Sequence, residues 1–119
     1  DSISCLHTIE HIGLGRYGDK LDPNGHLTAI HNLIRMLKNN GTLYLSVPVS
    51  STKKIFFNSE RVFHLNEIKS ILINEPVEIT ESFLIDDNYI IIKDYFDKTF
   101  VEVNYGCGVY ILKKKSASP

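Results

Sequence analysis

Cysteine is scarce in these 119 residues: two thiols, Cys5 and Cys107, stand far apart, each within an apolar stretch. That argues against a disulfide framework or a cysteine-rich metal knuckle. It reads as two buried thiols in a reducing compartment, with a cytoplasmic location expected. Charge of one sign is also missing, because 13 Lys and Arg balance 14 Asp and Glu to a formal net charge of −1. Neither a nucleic acid nor an acidic membrane surface is an expected partner. Long hydrophobic runs are absent too. Apolar runs stop at about four residues, as in Tyr89–Ile92, whereas a bilayer span needs about 20. No internal repeat or low-complexity linker interrupts the chain.

What is present is ordinary globular composition, 43% hydrophobic, in a length that holds one domain with a real core. The chain begins at Asp1, without Met, directly in an apolar stretch. Residues 1–119 therefore read as a single partial domain, cut from a longer protein, with a solvated tail over 113–119.

The hydrophobic pattern alternates between two periods. Ser2–Leu6 is short, apolar and β-tolerant, a strand. Asp22-Pro23-Asn24-Gly25 is a turn. Leu27, Ile30, Leu33, Ile34 and Leu37 then recur at helical spacing, with Arg35 and Lys38 where cations suit the macrodipole. Asn39-Asn40-Gly41 is expected to close that helix through a left-handed cap. Thr42–Val47 reads as a strand buried on both faces, stopped by Pro48. Leu65, Ile68, Ile71 and Leu72 predict a second helix, ended by Asn74-Glu75-Pro76 and opened near His64. Val77–Ile85 predicts a strand with one wetter face, Asp86-Asp87-Asn88 a turn, and Tyr105–Leu112 the last strand. Tyr89–Val103 reads as loop with a short strand or helical turn. The fold class is α/β, a sandwich whose early strands run parallel.

The stretch "HTIEHIGLGRYGD" contains two catalytic strings. His7, Glu10 and His11 spell the H-x-x-E-H of an inverted zinc protease. Zinc needs both imidazoles within about 2.1 Å. Residues four apart converge on a helix, at roughly 6 Å between Cβ atoms, but lie about 13 Å apart on a strand. The strand before His7 and the glycines after His11 leave room for one turn at most, so no metal is expected. Gly13, Gly15 and Gly18 spell the dinucleotide string G-x-G-x-x-G. Its third glycine should open a helix onto a phosphate. Here Asp19–Gly25, with Pro23, intervenes and Asp19 repels the anion. No acidic residue ends a following strand about twenty positions on.

A different pattern fits better. "DSISCLHTIEHI" followed by "HLTAIHNLIRMLKNNGTLYLSVP" resembles the fourth strand, next helix and fifth strand of class I S-adenosylmethionine-dependent methyltransferases. The matching residues are Asp1, Leu6, Glu10-His11-Ile12, Arg35-Met36-Leu37-Lys38, Gly41, Leu43, Leu45 and Val47-Pro48. Asn39-Asn40 replaces the usual Pro-Gly. More narrowly, "EHIGLGRYGDKLDPNG", "FFNSERVF" and "NYGCGVYILKKK" resemble a methyltransferase-like family of unknown function first catalogued in nematodes. This chain carries Glu60 where that family often has a histidine.

The resemblance implies the C-terminal half of a Rossmann-like methyltransferase sheet: parallel strands with helices, ending in an antiparallel hairpin of Val77–Ile85 and Tyr105–Leu112. It implies S-adenosylmethionine as cofactor of the complete protein. The glycine-rich loop and acidic residue that hold most of it would precede Asp1, so these 119 residues alone are expected to bind it poorly. A small-molecule or sugar hydroxyl is the implied acceptor. An uncovered sheet edge invites self-association. A non-catalytic relic that keeps the sheet without the pocket is the alternative.

Ligands of open α/β sheets lie beyond the carboxyl ends of strands, so His7–Asp19 would border donor or acceptor. Methyl transfer is mostly alignment, helped by a base when the acceptor is a hydroxyl. His7, Glu10, His11 and Asp19 are the catalytic candidates, Arg16, Tyr17, Asn58 and Arg61 the substrate contacts, and His7 and Thr8 the cofactor contacts. The structural alternatives are a capped turn for Glu10 and His11, an ion pair of Arg16 with Asp19 or Glu10, and packing for Arg61. His26 and His31 read as surface residues of the first helix, and Lys113–Lys115 as a solvated strand end.

Overall fold

The computed structural model describes residues 2–6, 8–11, 24–51, 54–56, 60–97 and 102–116. The strands are β1 (Ser2–Leu6), β2 (Thr42–Ser50), β3 (Lys54–Phe56), β4 (Glu60–His64), β5 (Val77–Ile85), β6 (Ile91–Lys93) and β7 (Gly106–Lys114). The helices are α1 (Gly25–Met36) and α2 (Glu67–Leu72), with 3₁₀ turns at Ile9–His11 and Tyr95–Asp97. All described strands join one mixed sheet, so the fold is α/β.

β2 organises the sheet. On one side β1 runs parallel to its first half, Ser2–Leu6 against Thr42–Ser46, and β4 runs parallel to its end at Val49–Ser50. On the other side β7 is antiparallel, and β5 then pairs antiparallel with β7. β3 and β6 extend the two margins. The Val77–Ile85 and Gly106–Lys114 strands thus pair antiparallel as expected. They are not joined by a tight turn, because β6 and the second 3₁₀ turn lie between them. The ambiguous 89–103 stretch contains the short strand and the helical turn.

Register assigns the faces. Opposite residues share a face, so Leu43, Leu45, Val47 and Val49 of β2 stand with Leu112, Tyr110, Gly108 and Gly106 of β7 and with Ile3 and Cys5 of β1. Every residue of this set is buried except Ile3, which is partly so. The opposite face carries Ser2, Ser4, Leu6, Thr42, Tyr44, Val109 and Ile111, with Leu6 58% and Tyr44 40% exposed. Both helices therefore cover one face. α1 buries Ile30 and Ile34 there, while Lys69 of α2 lies over the Phe96 ring, which stacks on Tyr110. β2 is consequently buried on both faces only in its second half, a correction to the reading of Thr42–Val47.

Five local expectations shift. The buried stripe of α1 is His26, Ile30 and Ile34, an i, i+4 row, and Leu27 stays 38% exposed. His26 is buried against Phe63, ring centroids 5.5 Å apart, so it is not a surface residue. The helix ends at Met36, earlier than its apolar spacing suggests, because Leu37 is extended. Asn40 does adopt the left-handed conformation (φ 66°), but in a separate turn closed by Gly41 N–H donating to Lys38 O at 2.8 Å. Pro48 does not end β2. It sits between the β1 and β4 pairings, where the ladder on that side is already interrupted and a missing N–H is tolerated.

The last difference is at the tail. β7 runs through Lys114, whose ammonium donates to Leu37 O at 2.8 Å and so satisfies a carbonyl at the end of α1. Lys113 and Lys114 are strand, and any tail starts after them. α2 is as short as its flanks suggest. Glu67 accepts the His64 N–H at 3.1 Å, and His64 Nδ1 accepts the Asn66 N–H at 3.2 Å, which orders the strand-to-helix turn.

Candidate functional site

Because β7 is antiparallel to both neighbours, β5 runs in the same direction as β2, and so do β1 and β4. Their carboxyl ends, Leu6, Ser50, His64 and Ile85, gather along one rim together with the start of β7. This is the rim where open α/β sheets hold ligands.

The Ile9–His11 turn leaves β1 at that rim and packs against α1, β4 and β2. Fully buried Ile9 anchors it, and Glu10 is only 1% exposed. A carboxylate so enclosed acts strongly on its neighbours. Burial raises the Cys5 thiol above its ordinary value, with Thr8 opposing and the Glu10 charge reinforcing the shift. Burial likewise raises Cys107, again reinforced by Glu10. Neither cysteine forms a disulfide, and both are held as thiols, not as nucleophilic thiolates. Glu10 thus lies within electrostatic reach of both β1 and the start of β7.

Arg61 is 3% exposed. It shares a face of β4 with Phe63, two residues on, and Phe63 contacts His26 of α1. The guanidinium therefore points to the side where α1 lies, against which the Ile9–His11 turn also packs. Glu10 and Arg61 are both buried, on elements that pack against each other, Glu10 in the Ile9–His11 turn and Arg61 in β4. Thr8 is exposed, its hydroxyl donating back to Leu6 O at 3.3 Å. His11 contributes the backbone of the 3₁₀ turn; its side chain, with His7, Arg16, Tyr17, Asp19 and Asn58, lies outside the described residues. The glycines of the dinucleotide string lie outside them as well. Among the described residues no group of three His, Cys, Asp or Glu is placed to hold a metal.

Further along the rim a cavity of about 320 Å³ opens between the end of β5 and the start of β7. Asp86, Asp87, Tyr89, Tyr105 and Cys107 line it. Nothing in the sequence spacing singles this group out, since 86–88 reads as a turn and 89–103 as loop with a short strand or helical turn. The available signal was that Ile85 ends a strand running the same way as β2, which puts the following residues on the ligand side.

Its walls are built from side-chain-to-backbone bonds. Asp86 Oδ1 accepts the N–H groups of Asn88 (2.9 Å) and Ile90 (3.0 Å), holding the turn that places Tyr89 at φ 61°. Asp87 accepts the N–H groups of Asn104 and Tyr105, both at 2.9 Å, and so ties the two loops together. Gly106 permits their close approach: a Cβ there would meet Ile85 O and lie 2.8 Å from Val103 Cγ2. Cys107 belongs both to this cavity and to the region under the Glu10 charge.

A family model described as "Caenorhabditis protein of unknown function, DUF268" matches residues 1–89, three quarters of the chain. The chain belongs to this family. The match spans β1 through β5, including the buried Glu10 and Arg61, and the first wall of the cavity. No curated protein matches the chain.

Proposed function

We propose that this DUF268 chain is part of an S-adenosylmethionine-dependent methyltransferase that acts on a small molecule or sugar hydroxyl. The observation that carries the reading is the rim itself. Four codirectional strands end beside a buried carboxylate, Glu10, and a cavity of small-molecule size. The β1–α1–β2 crossover and the antiparallel β5–β7 pair support it as features of the Rossmann-like methyltransferase half-sheet. Fold alone does not specify chemistry, so the weight falls on the site.

Within this reading Glu10 is a buried negative charge behind the rim, and an acceptor hydroxyl placed in the cavity meets the carboxylates that line it, Asp86 and Asp87. The described residues do not by themselves make a site for S-adenosylmethionine. Thr8, the one described residue expected to touch it, turns its hydroxyl back to Leu6 O.

That misfit favours one second reading, a non-catalytic binding module that keeps the sheet and lacks the cofactor pocket. Calorimetry on the full-length protein with S-adenosylmethionine separates the two. Saturable heat supports the transferase; its absence leaves the module.

A further inference from the structure

We infer that a small cavity between α2, β5 and the second 3₁₀ turn binds a compact zwitterion, an α-amino acid about the size of alanine. The cavity holds about 190 Å³ and is lined by Lys69, Ile79, Glu81, Ser82, Asp94 and Phe96. That is less than the roughly 300–1,000 Å³ of sites for drug-sized ligands. Its β5 residues precede the strand's end at Ile85, so it lies off the carboxyl rim and does not depend on the transferase reading.

A buried hydroxyl carries the assignment. The ladder between β5 and β7 slips by one residue between Ile79 and Glu81, and such bulges re-aim side chains. Ile79 stands opposite Leu112 and Ser82 opposite Tyr110, so residues three apart come to share the covered face. Ser82 is only 3% exposed there, and the access it keeps is through the cavity it lines. Its hydroxyl has no hydrogen-bond partner among the described residues. An enclosed polar group without a partner is unfavourable. A ligand with a polar atom at Ser82 supplies the missing bond.

The charges around that hydroxyl are of both signs. Lys69 holds its ammonium 5.5 Å from the Phe96 ring centroid, while Glu81 and Asp94 bring carboxylates to the same lining. None of these three side chains forms an ion pair or hydrogen bond with a described residue. Asp94 is held beside Ser82 by its own N–H, which donates to Ser82 O at 2.6 Å, on a left-handed backbone (φ 52°). A simple anion would meet two carboxylates, and a simple cation would leave Lys69 facing it. A molecule with both charges offers its carboxylate to Lys69 and its ammonium to Asp94, with a small apolar side chain against Ile79 and Phe96. Ser82 donates to the one or accepts from the other.

The probe is L-alanine, titrated into the 119-residue chain and followed by amide NMR beside two isosteres that each lack one charge. L-Lactate has a hydroxyl for the ammonium, and isopropylamine a methyl for the carboxylate. L-Alanine should give saturable shifts at 79–82 and 94–96. Each isostere should bind roughly two- to fivefold more weakly, the worth of one partly exposed ion pair. Lys69→Gln should weaken L-alanine and L-lactate and spare isopropylamine. Asp94→Asn, which tolerates the left-handed backbone, should weaken L-alanine and isopropylamine and spare L-lactate. Ser82→Ala should weaken L-alanine without lowering Tm, since the hydroxyl has no bond to lose. No saturable shift, shifts centred elsewhere, an isostere equal to L-alanine, or charge variants that bind it as the parent does would overturn the inference. Such a failure leaves the transferase reading standing, and absent heat with S-adenosylmethionine leaves amino-acid binding intact.

Discussion

Gly108→Ala places a methyl group where the structure has no room, and its cost follows from neighbours that cannot yield. A Cβ at Gly108 would lie 2.9 Å from Tyr110 Cζ and 3.1 Å from Cε2, with the hydroxyl nearer still. Tyr110 is fully buried, and Phe96 stacks on it with ring centroids 5.8 Å apart. Its hydroxyl donates to the Tyr95 hydroxyl, which in turn donates to Leu65 O, so rotation would break a buried chain of hydrogen bonds. Overpacking of this kind costs about 1–3 kcal/mol. A cost of about 2 kcal/mol lowers Tm by on the order of 5–10 °C in a domain this size. Urea denaturation followed by far-UV circular dichroism measures it directly. Tyr110→Phe alone should lose about 1 kcal/mol through the donated hydrogen bond. The double variant should cost less than the sum, because the missing hydroxyl relieves the worst contact. A Gly108→Ala protein as stable as the parent, or strictly additive losses, would refute the packing argument.

The same tyrosines predict an alkaline limit. Burial pushes both Tyr95 and Tyr110 well above the ordinary value of 10.0, so the folded state holds those protons more tightly than the unfolded chain. Stability from this source is intact below pH 10 and falls as pH rises beyond it; Tyr110→Phe should flatten that decline in a pH series of melts. At the rim, Cys107 should react with a thiol reagent more slowly than free cysteine at pH 8. Burial, the larger cause of the raised thiol, would remain in Glu10→Gln, but the charge that adds to it is gone, so at matched thermal stability the reaction should speed up modestly. An unchanged rate would place Glu10 out of reach of Cys107.

Much of the fold was legible because burial on one face writes a period into the sequence. Val77–Ile79 begins the alternation of a half-covered strand, which a register shift between Ile79 and Glu81 then inverts, and Ile30 and Ile34 mark the covered side of α1. The errors share a physical cause: tertiary contacts reassigned residues whose local preference is weak. His26 displaced Leu27 from the core because the ring of Phe63 lies opposite it. Pro48 stayed in a strand because its neighbour's ladder has a gap there. Met36 ends the helix because β7 supplies Lys114 to the carbonyl of Leu37, a contact between distant parts of the chain that no local window contains.

The site was less legible. Glu10 and Arg61 were named from the strand-end rule, and both side chains are buried rather than open to the rim. Nothing periodic marks Asp86, Asp87 and Tyr105 as neighbours, since their association depends on β7 entering the sheet beside β5.

That insertion has a consequence for how the protein is made. β7 is the bridge between β2 and β5, yet it is the latest of the described strands to be synthesised. Until it has cleared the ribosome, the two blocks on either side share no ladder, and their apolar margins wait unpaired. Completion should therefore be abrupt, coming only on emergence of residues 106–114, and a stop codon placed just ahead of Gly106 would yield two half-sheets with nothing to join them.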